Sequence, residues 1–119
     1  VTVGRANRLA AGRTPLGAWA PSTINAVVVV DGAPEAAALV NAVMTVTEVK
    51  TALLSAVDLR CDDGRAASGT STDAVVVAAT GRGPHRRVGG PISDFGGVGA
   101  RAAHEALGTG IRRWLEEHR

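Results

Sequence analysis

The chain has 119 residues, 45% of them hydrophobic, and its only aromatic side chains are one Phe and two Trp residues. This composition predicts a single domain whose core is built from Val, Ala and Leu. The formal net charge is only +2 and the arginines are scattered, so the sequence does not predict the basic surface typical of nucleic-acid-binding proteins. The single cysteine, Cys61, gives no disulfide framework and is typical of the cytoplasm. We see no apolar run of roughly 18–20 residues, so we expect no membrane partner.

The first half of the chain predicts two strands and a helix. Val1–Arg5 alternates weakly and is interpreted as a short strand. A loop over Ala10–Ser22, rich in Gly and Pro, leads to Thr23–Asp31, "TINAVVVVD". This run is β-branched and continuously apolar, which predicts a strand buried on both faces. Glu35 to about Val57 contains no Gly or Pro and predicts one long helix.

The second half predicts one more strand and one more helix. Asp73–Thr80, "DAVVVAAT", is expected to be a second buried strand. The Gly-rich segment Gly81–Pro91 is interpreted as a flexible lid or a loop that lines a ligand. The last helix follows with Ser93 as its N-cap, and Gly108 and Gly110 are expected to interrupt it.

This element order, β-β-α-β-α, predicts an α+β or α/β fold. We expect a small mixed sheet with the two buried strands at its centre and two long helices packed on one face. Residues 1–119 are predicted to form a single domain.

Lys50 is the only lysine among 13 basic residues. Lysine carries a compact charge on a flexible stem, whereas arginine is a rigid fork. At about 100° per residue, Lys50 falls on the helix face that should contact the sheet, and Glu48 falls on the opposite face. That opposite face is polar but nearly uncharged, which predicts that it is covered. Lys50 is then either a snorkelling side chain near the helix end or a desolvated amine that acts as a base or holds an anionic group.

Polar side chains also precede both buried strands. Thr23 and Asn25 begin one strand, and Thr70, Thr72 and Asp73 precede the other. If the two strands are parallel neighbours, these groups meet at one edge of the sheet, close to Lys50. The alternative is that such residues stand there because they suit turns. We find no spacing of His, Cys or carboxylates typical of a metal site.

Four segments, in this order, resemble one family: "STINAVVVVDG", "MTVTEVKTALL", "SGTSTDAVVVA" and "GGPISDFGGVGARAAHEAL". Together they are similar to the adenosylcobinamide amidohydrolases, and the resemblance covers nearly the whole chain. Members of that family salvage incomplete corrinoids by hydrolysing the amide that joins aminopropanol to the corrin ring, which releases adenosylcobyric acid. The resemblance implies a corrinoid ligand and no separate cofactor, because the cobalt belongs to the substrate.

The resemblance also implies site residues, and their roles are our own hypothesis. A carboxylate, Glu48 or Asp73, would activate water, and Lys50 or Asn25 would stabilise the oxyanion. Thr70 and Thr72 would serve as nucleophile or as groups that position the amide. Lys50, Asp73 and Glu48 are thus the predicted catalytic residues, and the predicted substrate-binding residues are Thr23, Asn25, Thr47, Thr51, Thr70 and Thr72.

Domains of this family are longer, so the chain resembles a C-terminal portion. We therefore expect a homo-oligomer, or pairing with an N-terminal half. An unpaired sheet edge would favour such association. The alternative function is a non-catalytic remnant of the family that binds a corrinoid or a partner chain.

Overall fold

The computed structural model describes residues 1–4, 6–17 and 20–119. Arg5, at the end of the predicted first strand, and Ala18 and Trp19, in the predicted first loop, lie outside the described residues. The elements in chain order are β1 Thr2–Val3, β2 Arg8–Leu9, β3 Ile24–Val30, β4 Ala33–Pro34, α1 Ala36–Ala56, β5 Gly69–Thr70, β6 Ala74–Ala79, β7 His85–Arg86 and α2 Asp94–Glu117.

The main sheet has three strands in the order β1-β3-β6. β3 and β6 are parallel, in a register that runs from Asn25 opposite Ala74 to Val30 opposite Ala79. β1 is antiparallel to β3 and pairs Thr2 with Asn25. Two small two-stranded sheets, β2-β5 and β4-β7, lie outside it. The predicted fold class, a small mixed sheet with two long helices, is confirmed.

Both helices cover the same face of the main sheet. α1 contacts β6, α2 contacts β3, and the two helices also pack against each other. Alternate residues of β3 point into this layer, as the period of a half-buried strand requires. The buried core side chains from β3, α1 and α2 include Ile24, Ala26, Val28, Val30, Val46, Leu54, Phe95, Leu107 and Ile111.

The prediction that both apolar strands are buried on both faces is wrong. Val27 and Val29 of β3 are 61% and 69% exposed, and Val76 of β6 is 51% exposed. The prediction that both strands are central is wrong for β6, because β3 is its only strand neighbour in the described part of the chain. Continuous β-branched runs arise on such a sheet because the two helices cover only one face.

The polar face of α1 is only partly covered: the Gly-rich segment lies over Asn41 and Thr45, as the lack of charge predicted, whereas Glu48 and Ser55 farther along the face are exposed. The backbone N–H of Gly89 donates to Asn41 Oδ1 at 3.2 Å, and Thr45 Oγ1 donates to the Gly89 carbonyl at 3.0 Å. A Cβ on Gly89 would collide with the backbone of Ala38. The segment is therefore held against α1 at Gly89 and does not stand free there as the predicted lid would.

The last helix begins at the predicted cap and is not interrupted. Ser93 Oγ accepts a hydrogen bond from Gly96 N at 3.0 Å, which satisfies one of the first free amides of α2. The expected interruption at Gly108 and Gly110 is wrong. Tertiary packing outweighs glycine's low helix propensity here, because the adjacent Leu107 and Ile111 are fully buried in the core.

The expectation of no long apolar run needs correction. α1 is 21 residues long, an 18-residue stretch of it has a mean hydropathy of 1.4, and by length and composition alone it is apolar enough to cross a membrane. The core helix of a globular domain has the same composition. α1 contacts β6 and α2, and it buries Val46 and Leu54.

Candidate active site

The two charged residues singled out by the sequence form an ion pair at the amino ends of β3 and β6. Lys50 Nζ lies 2.5 Å from Asp73 Oδ2, and the two side chains are only 10% and 11% exposed. Lys50 is carried by the sheet-facing side of α1, and Asp73 directly precedes β6. The snorkelling interpretation of Lys50 is therefore wrong: its amine lies in the protein and has a carboxylate partner.

Asp73 accepts three hydrogen bonds in addition to the one from Lys50. Its Oδ1 accepts the backbone N–H of Ile24 at 3.0 Å and the hydroxyl of Thr70 at 2.5 Å. Its Oδ2 accepts the backbone N–H of Thr70 at 3.0 Å in addition to Lys50. An ionised carboxylate has about four acceptor positions, so none is left for another donor.

These contacts decide the protonation of Asp73. Burial alone would raise the pKa of its carboxyl. The hydrogen bonds from Lys50, from the hydroxyl and amide of Thr70 and from the amide of Ile24 outweigh burial and lower that pKa below its usual 3.8. Asp73 is thus held as an anion and is a weak proton acceptor.

Gly69 makes room for the pair. A Cβ at this position would lie 2.8 Å from Lys50 Nζ and would collide with Asp73 Oδ2. Gly69 is buried and belongs to β5, which pairs with β2 in the order Leu9 opposite Gly69. Only a residue without a side chain lets β5 pass so close to the two charged groups.

The predicted hydroxyl and amide groups form a network beside the pair. Thr23 Oγ1 donates to the Thr72 carbonyl at 2.7 Å, and Thr72 Oγ1 donates to the Ser22 carbonyl at 2.9 Å. Asn25 Nδ2 donates to Thr2 Oγ1 at 3.1 Å. The two strand starts are therefore joined directly, as expected for parallel neighbours whose amino ends meet at one edge.

The "TEVKT" motif of α1 is divided between two environments. Lys50 is buried, and Thr51 Oγ1 donates to the Ser68 carbonyl at 3.1 Å, next to β5. Thr47 and Glu48 are exposed. Thr47 Oγ1 donates to the Val43 carbonyl of its own helix at 2.8 Å, and Glu48 has no hydrogen bond or ion pair with another described residue. The structure does not bring these two side chains to the Lys50–Asp73 pair.

Three groups at the site were missed by sequence reasoning. These are Gly69, the Ser22 carbonyl, whose oxygen lies 3.1 Å from Thr70 Oγ1, and the Ile24 amide. The glycine of "SGTSTD" was a usable signal, because a glycine inside a strand start often marks a close approach. The two backbone groups left no signal, since every residue carries them.

A cavity lies against Ser71, and its described lining does not include Lys50, Thr70 or Asp73. It has a volume of about 320 Å³ and lies between the segment from Asn7 to Gly17 and Ser71. Its wall carries the polar groups of Asn7, Arg8 and Thr14 beside apolar Leu9 and Leu16. Ser71 lies between Thr70 and Asp73 in the sequence, so the cavity adjoins the loop that bears both.

The described residues contain no group of three or more His, Cys, Asp or Glu side chains that could hold a metal ion. What the site offers is an ammonium group in a mostly dry environment, with an anion that fixes its position and a hydroxyl within the same network. A fixed cation of this kind can polarise a carbonyl and stabilise an oxyanion, which is the central requirement of amide hydrolysis.

Comparison with known proteins agrees with these motifs. The family model described as adenosylcobinamide amidohydrolase matches residues 1–119, the whole chain. The chain belongs to the adenosylcobinamide amidohydrolase family, and the resemblance found in the four segments is confirmed. Membership supports a hydrolase of corrinoid salvage as the broad functional class. No curated protein and no solved structure matches the chain significantly.

The ion pair predicts strong coupling between Lys50 and Asp73. Lys50→Met leaves the mostly shielded Asp73 carboxylate without its cation and is expected to lower the free energy of unfolding by about 3 kcal/mol. Asp73→Asn turns an amide N–H₂ toward the donors of Lys50 and Thr70 and should cost a similar amount. The double variant should lose clearly less than the sum, as measured by urea unfolding. Additive losses would contradict a direct pair.

The close approach at Gly69 predicts a steric cost. Gly69→Ala is expected to lower the free energy of unfolding by about 2 kcal/mol, because the added methyl group displaces Asp73 or Lys50. Gly17→Ala is the matched control, since no atom of the described residues lies within 4 Å of its added Cβ, and it should change stability by less than about 0.5 kcal/mol. Equal effects of the two changes in thermal unfolding would show that Gly69 is not crowded.

The lowered pKa of Asp73 predicts acid sensitivity. Because the folded-state pKa is below the unfolded value of about 3.8, the stability it contributes is complete above that pH. It is lost as the pH falls from there through the lower folded-state pKa. Urea unfolding between pH 5 and pH 2 should therefore show a steeper loss for the parent protein than for Asp73→Asn, and parallel curves would exclude this source of acid sensitivity.

Proposed function

We propose that this chain hydrolyses the amide that joins aminopropanol to the corrin ring of adenosylcobinamide, giving adenosylcobyric acid. The observation that carries the proposal is the buried Lys50–Asp73 pair, with Thr70 bonded to it, in a chain that matches the adenosylcobinamide amidohydrolase family throughout. Water adds to the amide carbonyl and the C–N bond breaks. The nitrogen takes a proton and leaves as the amine, while the carbonyl carbon becomes a carboxylate.

Lys50 is the group we assign to the carbonyl oxygen. An ammonium has more N–H donors than the one that Asp73 occupies, so another can point to the substrate. The amine is mostly shielded from water, and a charge acts more strongly on a developing oxyanion in such a site than in bulk solvent. Lys50 has no competing carboxylate partner other than Asp73 among the described residues.

Asp73 is a positioning residue in this scheme. Its oxygens already accept four hydrogen bonds and its pKa is lowered, so it holds Lys50 and Thr70 in place and does not take the proton of water. Thr70 Oγ1 lies within hydrogen-bond distance of both Asp73 and the Ser22 carbonyl. Its hydroxyl either aligns the attacking water or attacks the amide itself.

The cavity beside Ser71 is the space we assign to the substrate's arm. Its volume of about 320 Å³ suits a small amide-bearing side chain rather than the whole corrin ring, which would lie across the opening. The lining combines apolar carbon with the side chains of Asn7, Arg8 and Thr14, and an aminopropanol arm has the same mixture of methyl and hydroxyl groups. The ligand is thus a corrinoid that brings its own cobalt.

One observation favours the alternative, corrinoid binding without turnover. The carboxylate next to Lys50 accepts four hydrogen bonds, and Glu48 lies on the exposed side of α1 away from the pair, so neither predicted carboxylate is placed to activate water. Under this alternative the ion pair only stabilises the fold, and chemistry would need a base other than these two carboxylates.

The test is to incubate the purified chain with adenosylcobinamide and to measure adenosylcobyric acid by mass spectrometry, with a parallel binding titration. We expect turnover, and a loss of kcat/KM of about 100-fold or more in Lys50→Met because the oxyanion loses its cation. The double variant Lys50→Met/Asp73→Asn should be inactive although it contains no unpaired buried charge. Circular dichroism of the double variant shows whether it is folded, so that its inactivity separates chemistry from folding.

Two variants serve as controls. Arg101→Met removes an exposed cation of α2, and Ser55→Ala removes an exposed hydroxyl of α1; both should retain turnover. Binding without turnover in the parent chain would replace hydrolysis by the alternative, and absence of both would reject a corrinoid site. A mass increase on the Thr70 peptide during turnover would identify the hydroxyl as the nucleophile, whereas its absence supports water alignment.

A further inference from the structure

β6 is an edge strand without protection. It reads "AVVVAA" over Ala74–Ala79, and in the described chain it pairs with β3 alone. Edge strands of natural proteins are commonly guarded by charged side chains, prolines, bulges or a covering segment, since their free backbone groups invite another strand. β6 carries no charge and no proline along its whole length, and it has no β-bulge in its register with β3.

The register identifies which backbone groups of β6 are free. Thr80 N donates to the Val30 carbonyl at 3.2 Å, and Ala79 is the register partner of Val30. The even-numbered residues of β6 therefore direct their N–H and C=O groups toward β3. Because these groups alternate sides along a strand, Val75, Val77 and Ala79 direct theirs away from the sheet.

The side chains add an apolar surface that continues to this edge. Ala74, Val76 and Ala78 are exposed on the face of the sheet opposite the helices. In register beside them lie Val27 and Val29 of β3, which are 61% and 69% exposed. Next to the β6 edge, the sheet therefore exposes apolar side chains on its open face, and the two helices cover its other face.

We propose that β6 pairs antiparallel with β6 of a second copy of this chain. The two-fold axis passes beside Val77, so that Val77 faces its own counterpart and Val75 faces Ala79 of the partner subunit. All three outward-facing residues then lie in pairs that exchange both backbone hydrogen bonds. The product is one continuous sheet built from the two three-stranded sheets, with all four helices on the same face.

A second copy fits this edge for three reasons. The free donors and acceptors of Val75, Val77 and Ala79 are self-complementary about Val77, so an identical strand satisfies every one of them. The strand has no charge, so two copies meet without repulsion. Two-fold pairing also leaves neither β6 edge unpaired, whereas a strand from an unrelated partner would still have an unpaired edge on its other side.

The pairing also reaches the candidate active site, although it does not depend on the proposed function. β6 begins directly after Asp73. In the same register, Gly81 of the partner subunit lies opposite Asp73. The dimer therefore brings a partner loop beside each Lys50–Asp73 pair, and its formation can be measured without any substrate.

The first test combines light scattering with residue-resolved amide exchange of the full chain at several concentrations. We expect a dimer, and in it the amides of Val75, Val77 and Ala79 should exchange at least about tenfold more slowly than in dilute samples. The amides of Ala74, Val76 and Ala78 should be protected at every concentration, because they face β3. A chain that stays monomeric at millimolar concentration would overturn the proposal, and so would a dimer whose odd-numbered amides stay unprotected.

Proline provides the second test, since it removes an N–H. Val77→Pro removes a donor that the monomer does not use, so the variant should fold, as judged by circular dichroism, and stay monomeric. Val76→Lys covers the case in which the proline variant does not fold: it adds an edge charge and should raise the dimer dissociation constant about tenfold or more.

Val29→Lys is the matched control for Val76→Lys, because it adds the same charge to the open face of β3, away from the edge. It should leave the dimer unchanged. If Val29→Lys dissociates the dimer as strongly as Val76→Lys does, the two copies stack through their open faces and the proposed edge pairing is wrong. A dimer that persists in both Val77→Pro and Val76→Lys would also exclude it.

Discussion

The carboxylate of Asp73, whose side chain is 11% exposed, is the constraint around which the rest of this structure is arranged. An ion taken out of water is costly unless it is paired and fully hydrogen-bonded. Asp73 meets that condition only because Lys50, Thr70 and the amide of Ile24 all reach it. One side chain thus joins α1, β5 and the starts of β3 and β6, and it fixes how the helix sits on the sheet.

The same constraint explains the single lysine in an arginine-rich chain. Nζ must enter a space bounded by Asp73 and the bare backbone of Gly69, where even a methyl group would come within 2.8 Å of it. A small ammonium on a flexible stem fits there, whereas a planar guanidinium is larger and needs a broader partner. The Lys50 ammonium, held in place and mostly shielded from water, can both stabilise the fold and stabilise an oxyanion.

The helices lie on one face only, and this leaves the sheet open in two directions. The open face exposes Val27, Val29 and Val76, and the edge at β6 exposes backbone groups with no partner in the described chain. Both features carry a free-energy cost in water for an isolated copy, since exposed apolar carbon and flat, unguarded edges favour association. Association through β6 would remove the edge and leave the Lys50–Asp73 pair intact.

The sequence by itself determined the main elements, the fold class, the family and the face of the helix on which Lys50 lies, because periodicity, glycine and proline positions and ordered motifs are local. It also placed Thr23, Asn25, Thr70, Thr72 and Asp73 at strand starts. Only the tertiary structure decided that Lys50 pairs with Asp73, that Glu48 stays apart, that α2 continues through its glycines and that one face of the sheet is open. A β-branched run looks the same whether its second face is covered or bare, and the amide of Ile24 or the carbonyl of Ser22 has no signature in sequence. Those outcomes depend on which segments meet in space, and that is a property of the packed chain.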